Sequence, residues 1–273
     1  MTVAEQCTVD LLQELVQDRI LFLDGAMGTM IQRLKLTEEK IRGERFHDHQ
    51  KDLLNFPDLI NLTMPEAVVD VHRAYFAAGA DIVETNTFGS SPVGLIEFGL
   101  PTSLISELNH SAVQHAKKAA AEFTDKTPDK PRFVAGSIGP TTRQTAISTD
   151  PNDPSFRSSS FEELRVSYYE QVRALVEAGV DLLLPETVID TLNLKACLFA
   201  IAEYFEESGH SIPVMISGTF DKGGATFVSG QVLEAFSNSI SHFPLFSIGM
   251  NCALGPDLMR PHMELLSRLT DLS

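Results

Sequence analysis

Short apolar runs alternate with longer segments of helical periodicity along the chain. The runs are ILFLDGAMG from Ile20, ADIVETNTF from Ala80, RFVAGSIGP from Arg132, VDLLLPETV from Val180, PVMISGTF from Pro213 and FSIGMNCALGP from Phe246. Their centres are almost continuously apolar, the pattern of parallel strands covered on both faces. Between them, PEAVVDVHRAYFAAG opens on a proline suited to a first helical turn and stops at Gly79. SFEELRVSYYEQVRALVEAG starts from a Ser160 cap with Glu163 placed for a capping box, and stops at Gly179.

The pattern repeats itself. AYFAAGADIVETNTF resembles ALVEAGVDLLLPETV, with Asp81 and Asp181 in register 100 residues apart. In both, a helix ends at Ala-Gly and a strand follows. Such units build a β/α barrel or a doubly wound sheet. The strand ends discriminate: DGAMG, ETNTFGSS, GSIGPTT, PETVIDT, SGTF and NCALGP are all polar, small or glycine-rich. Polar chemistry at every C-terminal strand end is the habit of a (β/α)8 TIM barrel. Six of its eight βα units are expected here, so the α/β fold is an incomplete TIM-barrel type. Residues 1–19 form an N-terminal helical extension and residues 20–273 the barrel domain. Long connections follow the first and third strands and are placed to shape a pocket.

Composition narrows the function classes. The net charge of −16 opposes binding to a phosphate backbone, so no nucleic-acid partner is expected. Three widely spaced cysteines, Cys7, Cys197 and Cys252, make no disulfide framework and suit a reducing, cytoplasmic setting. The first twenty residues lack the basic flank and apolar core of a signal peptide, and no run is long enough for a membrane span.

Several residues carry candidate chemistry. Asp24, in DGAMG, either binds a ligand ammonium or caps the next helix, and Gly25 lets backbone N–H groups approach a ligand. Glu186, after DLLLP, is a functional acid facing Asp24 or a salt-bridge partner. Thr85, Asn86 and Thr87 offer neutral hydrogen bonds or satisfy the strand end. FHDH, from Phe46 to His49, has no strong metal spacing and reads as a solvated loop. Cys197 reads as core, and Cys7 as a surface or terminal thiol. Cys252, between an apolar run and a Gly-Pro turn, reads on local grounds as a buried inert thiol.

Taken together, DGAMGTMIQ, RGERF, GADIVETNTF, FVAGSIGPT, DPSFR, ETVIDTLNLKA, MISGTF and NCALGP resemble the homocysteine-binding barrel of cobalamin-dependent methionine synthase, from Ile20 to the C-terminus. RGERF and DPNDPSFR resemble that enzyme more than its betaine- or S-methylmethionine-dependent relatives. The resemblance implies a methyltransferase that binds homocysteine as a zinc thiolate and transfers a methyl group from methylcobalamin to give methionine. It implies cobalamin-binding and folate-binding modules as partners. It assigns the substrate's amino end to Asp24, Gly25, Ala26 and Glu186, and one Zn ligand to Cys252. The family's remaining two zinc cysteines form an adjacent pair in a Gly-Gly-Cys-Cys-Gly segment, and no Cys-Cys pair occurs here. The expectation is a C-terminally truncated barrel, inactive by itself, whose remaining metal ligands lie outside these residues. The rival expectations are an inactive fragment without zinc, a betaine- or S-methylmethionine-type enzyme, and an unrelated barrel lyase using Asp24 and Glu186 as acid and base.

Overall fold

The computed structural model describes residues 3–272, with side chains from residue 8 onward, so Cys7 lies outside the described side chains. Eleven helices are described: α1 (Val3–Asp18), α2 (Met27–Arg33), α3 (Glu38–Arg42), α4 (Ile60–Thr63), α5 (Pro65–Ala78), α6 (Pro92–Glu97), α7 (Ile105–Lys126), α8 (Phe161–Glu177), α9 (Thr191–Ser208), α10 (Leu233–Ile240) and α11 (Pro256–Leu269). The strands are β1 (Ile82–Glu84), β2 (Phe133–Ile138), β3 (Leu182–Pro185), β4 (Met215–Gly218) and β5 (Ser247–Met250). They pair in parallel and in chain order, β1-β2-β3 and β4-β5. A bridge from Leu183 to Val214 joins the two sets.

Five of the six expected strands form. The sixth, from Ile20, is reduced to a single bridge, Leu23 to Ile82, supported by hydrogen bonds from Ile82 N–H to the Phe22 carbonyl and from Asp24 N–H to the Ile82 carbonyl. It has a described neighbour on one side only, so half of its backbone groups lack a ladder. Ile20 is 79% exposed and Phe22 62%. The strand β2, central to its set, is buried along its whole length, whereas β5 is only partly buried.

Alternation along the strands sorts two cores. Val83, Val134, Leu183, Ile216 and Ile248 face the helices and join a cluster with Val172, Leu194 and Phe236. Ile82, Ala135, Leu182 and Leu184 face the other way and meet Leu12 of α1. The helix α1 thus covers this second face, and full burial of Leu12 contributes about 2 kcal/mol.

The helix ends follow their sequence signals. Gly79 caps α5 in the left-handed region at φ 110°, and Gly179 follows α8 at φ 92°. Ser160 and Glu163 form the reciprocal capping box that opens α8. The internal echo also has a structural meaning. Asp81 N–H donates to the Phe22 carbonyl while the Asp81 carboxylate accepts from Phe22 N–H at 2.9 Å. Asp181 does the same with Val134, whose N–H donates to its carboxylate at 2.8 Å. Each aspartate clamps the strand before its own. Arg19 forks onto Asp81 at 2.8 and 2.9 Å, and Lys117 reaches Asp181 at 2.6 Å.

Candidate functional site

The C-terminal strand ends open into a cavity of about 840 Å³. Asp24, Gly25, Ala26, Glu186 and Cys252, named from the sequence, all line it. Convergence follows from parallel pairing in chain order, which brings every strand's C-terminal end to the same side.

Asp24 does not cap a helix. The residue before α2 is Ala26, with no side-chain cap. Instead one Asp24 oxygen, Oδ2, accepts from Glu84 N–H at 3.0 Å, and the other, Oδ1, is buried with no partner. Burial pushes the Asp24 carboxyl up to about 8; the Glu84 N–H opposes that rise and the nearby Glu186 adds to it. Gly25 sits in a crowded place: a Cβ there would stand 3.2 Å from the Tyr75 ring and hydroxyl, so the ring would have to give way, and that hydroxyl donates to the Ala26 carbonyl at 3.1 Å. The strand-end turn is thereby pinned to α5.

Glu186 has no basic partner among the described residues, which removes the salt-bridge reading. It accepts from the Ser137 hydroxyl and, at 3.4 Å, from the Thr187 hydroxyl. Burial raises its pKa, while those donors and Glu84 restrain the rise. Thr187 holds a left-handed φ of 56°, and its hydroxyl accepts from Asn251 Nδ2 at 2.8 Å. This contact ties the end of β3 to the end of β5.

Cys252 corrects the local reading of a buried thiol. It is exposed, on the cavity rim, at φ 43° and followed by Ala253 at φ 55°. The apolar run ends at Met250, two residues before it, so the turn carries the thiol out of the core rather than into it. Its Sγ lies 3.5 Å from Thr219 Oγ1. Cys197, by contrast, is core in α9, and burial pushes its thiol up. Among the described residues no group of three His, Cys, Asp or Glu side chains is placed to hold a metal ion. One rim thiol does not supply the three protein ligands of a catalytic zinc site, so these residues do not by themselves fit that metal.

Of the other candidates, Thr85 and Asn86 line the cavity and are also tied into the scaffold. Thr85 and Thr87 bond each other at 2.6 Å, and Thr87 donates to the Ser137 carbonyl. Asn86 Nδ2 donates to the Pro57 carbonyl at 3.1 Å. In FHDH, His47 is exposed and His49 Nε2 bonds the Phe98 carbonyl at 2.7 Å.

Three acids escaped the sequence reading: Glu84, Asp58 and Glu97, the last bonded by the Thr142 hydroxyl. Glu84 sits on the cavity wall beside Glu186, and burial and the charges of Glu186 and Asp24 raise its pKa well above the usual range. Asp58 is buried on another wall, where its Oδ2 accepts from Gly89 N–H and Ser90 Oγ, both at 2.7 Å; burial pushes it up to about 6. A signal for Glu84 exists: it is the only charged residue inside the run DIVE after Asp81, and alternation from Ile82 places it on the same face as Leu182 and Leu184. Five acids line the cavity and no Lys, Arg or His does among the described residues. Such a lining is chemically complementary to a cationic group.

Comparison with known proteins bears on the fold and the family. The fold is similar to that of the homocysteine methyltransferase MmuM from Escherichia coli in three solved states. The metallated form matches with a TM-score of 0.74 over 95% of this chain and 83% of that one, at 23% identity. The oxidized form gives 0.73 over 95% and 82%, and the apo form 0.69 over 94% and 81%, again at 23% identity. The family model described as homocysteine S-methyltransferase matches residues 21–273, and the chain belongs to that family.

Proposed function

We propose that this chain is the homocysteine-binding module of a cobalamin-dependent methionine synthase, on an incomplete (β/α)8 barrel spanning residues 20–273. The observation that carries the reading is the cation-free, acid-lined cavity with Cys252 on its rim. Homocysteine carries an ammonium at one end and a thiol at the other. Asp24 and Glu186 hold the ammonium, and the strand-end backbone at Gly25 and Ala26 receives the carboxylate. The amino acid is thereby fixed with its sulfur toward Cys252 and the solvent-facing rim. Methyl transfer would form a sulfur–carbon bond, break the bond between the methyl group and its donor, which departs demethylated, and release the thiol proton; the chain's part is to orient the sulfur and exclude water from the amino end. Were zinc bound here, Cys252 would offer it one thiolate; the described residues offer no group of three ligands for it. The methyl donor, methylcobalamin, and a folate-binding module belong to other parts of the assembly.

Calorimetry with L-homocysteine under reducing conditions tests the core of this reading. Binding to the wild-type chain is expected, and Glu186→Gln should weaken it by about 2–3 kcal/mol, roughly 30- to 150-fold, because a desolvated ion pair is lost. No binding to the wild type, or an unchanged affinity in the variant, overturns it. Dialysis against a mild chelator tests the metal assignment: this chain should lose its zinc, and near-stoichiometric retention would contradict a single-thiolate site. The family match names no methyl donor, which leaves a second reading, a homocysteine methyltransferase that takes its methyl group from a small donor such as S-methylmethionine or betaine. Turnover with either donor and none with methylcobalamin would select it.

A further inference from the structure

Asp24, Glu84 and Glu186 converge from three strand ends onto one wall of the cavity. Glu84 and Glu186 line the cavity together, and the Glu84 N–H donates to Asp24 Oδ2 at 3.0 Å, so three carboxyls crowd one wall without a cation among them. Two carboxylates can hydrogen-bond each other only while one of them keeps a proton, because otherwise neither has a hydrogen to donate. Ser137 and Thr187 supply hydroxyl donors to Glu186. The titratable groups that face Glu84 from the surrounding elements are Asp24 from the first strand end, Glu186 from the end of β3 and Tyr75 from α5, while Asp58 before α4 interacts with Glu186. None is basic. Asp24 Oδ1 is the one buried oxygen of the cluster left without a partner.

We propose that Glu84 is a third carboxyl of the amino-end site, that it shares one proton with Glu186 while the cavity is free, and that this proton leaves when a primary ammonium enters. The proposal rests on the reading of the cavity as an amino-acid thiol site and adds to it a residue and a linked proton. The step balances simply. Glu84 gives up its carboxyl proton to solvent, and the entering ammonium keeps all its protons. The two freed carboxylates accept N–H donors from the ligand in place of each other's proton. Asp24 Oδ1 is then available for a further N–H. Three acceptors around one ammonium match its three donors, which selects a primary amine over a quaternary one. A trimethylammonium group has no N–H to offer and would leave the three carboxyls unpaired.

The raised pKa values of Asp24 and Glu84 support the same sign: burial without a cation favours the protonated forms, and a bound cation reverses that. Ligand binding therefore competes with protons, and affinity should climb with pH through neutrality.

The test uses L-methionine, the product amino acid, because it has an ammonium and a carboxylate but no thiol whose own proton would enter the count. Calorimetry is run in two buffers of different ionisation enthalpy, and again at several values between about pH 6 and pH 8. The wild-type chain should release one or more protons per ligand bound. Glu84→Gln, which can donate permanently to Glu186, should release about one fewer, with a correspondingly flatter rise of log affinity with pH. Equal proton release in the two proteins overturns the proposal. So does a wild-type chain that binds methionine without releasing protons, a result that needs no variant to fold. Failure of both methionine and homocysteine to bind the wild type at any pH would instead overturn the amino-acid reading of the cavity itself. Choline serves as the quaternary probe; binding as tight as that of methionine would contradict the three-acceptor geometry.

Discussion

The paired aspartates at the strand starts make the most quantitative claim about the scaffold. Asp81 is fully buried and meets Arg19 at 2.8 and 2.9 Å, Phe22 N–H at 2.9 Å and Lys130 at 3.4 Å. In Asp81→Asn one acceptor oxygen remains, so either the Phe22 N–H or the Arg19 fork loses its partner. The new amide N–H groups also face two cations. Breaking a buried pair from one side costs about 3–5 kcal/mol. Arg19 is 32% exposed, so water recovers part of its loss, and the expected cost falls to about 2–4 kcal/mol. Asp181 is the built-in comparison. It is 17% exposed and pairs with Lys117, itself 33% exposed, so Asp181→Asn should cost only about 1–2 kcal/mol. Urea unfolding at neutral pH gives both values from the midpoint shift at unchanged slope. Hydrogen exchange at Phe22 should speed up in Asp81→Asn alone. The pH dependence has a definite sign. Burial opposes ionisation of Asp81, but Arg19, the Phe22 N–H and Lys130 together outweigh it and hold its pKa below the usual carboxylate range. Its contribution is therefore present above an unfolded pKa of about 3.9 and is lost as pH falls through the lower folded value. An Asp81→Asn protein within about 0.5 kcal/mol of wild type, or one no less stable than Asp181→Asn, would refute the clamp.

Two further outcomes follow from close packing and from the open edges. A Cβ at Gly139 would stand 2.6 Å from the Phe88 carbonyl oxygen and 2.7 Å from its ring; Gly139→Ala should cost about 1–3 kcal/mol and shift the Phe88 loop that lines the cavity, weakening homocysteine binding in the same titration. Binding and stability equal to wild type would show that the loop yields freely. The outer sides of the Ile20 segment and of β5 have no strand neighbour among the described residues, and Leu258, Met263 and Leu269 of α11 are exposed. Light scattering on the purified chain should show self-association despite the charge of −16. A monodisperse monomer with a sharp cooperative melt would show that these edges are harmless.

Much of this architecture is written in local pattern. Near-continuous apolar runs marked five strands and the one-bridge sixth. Ser160 with Glu163 and the paired Ala-Gly stops marked helix ends, because caps and left-handed glycines act over a few residues. The strand-end motifs pointed to Asp24 and Glu186, and parallel pairing in chain order was enough to bring them to one cavity. The 100-residue echo was legible as well, but its work was not: that each aspartate clamps the preceding strand depends on which backbone lies beside it. Only tertiary structure decided the rest. Cys252 follows an apolar run yet is exposed, since its turn at φ 43° leaves β5 at an edge with no described neighbour. Glu84 stood in a quoted motif beside Thr85 and Asn86, which also line the cavity but are held by structural hydrogen bonds, and Thr87, which does not line it. What distinguishes it is the placement of Glu186 and Asp24 against it and the absence of a cation in the cavity. Periodicity fixes which face of a strand a side chain occupies. Its charge state is set by distance and desolvation among residues remote in sequence, and those quantities exist only once the strands are assembled.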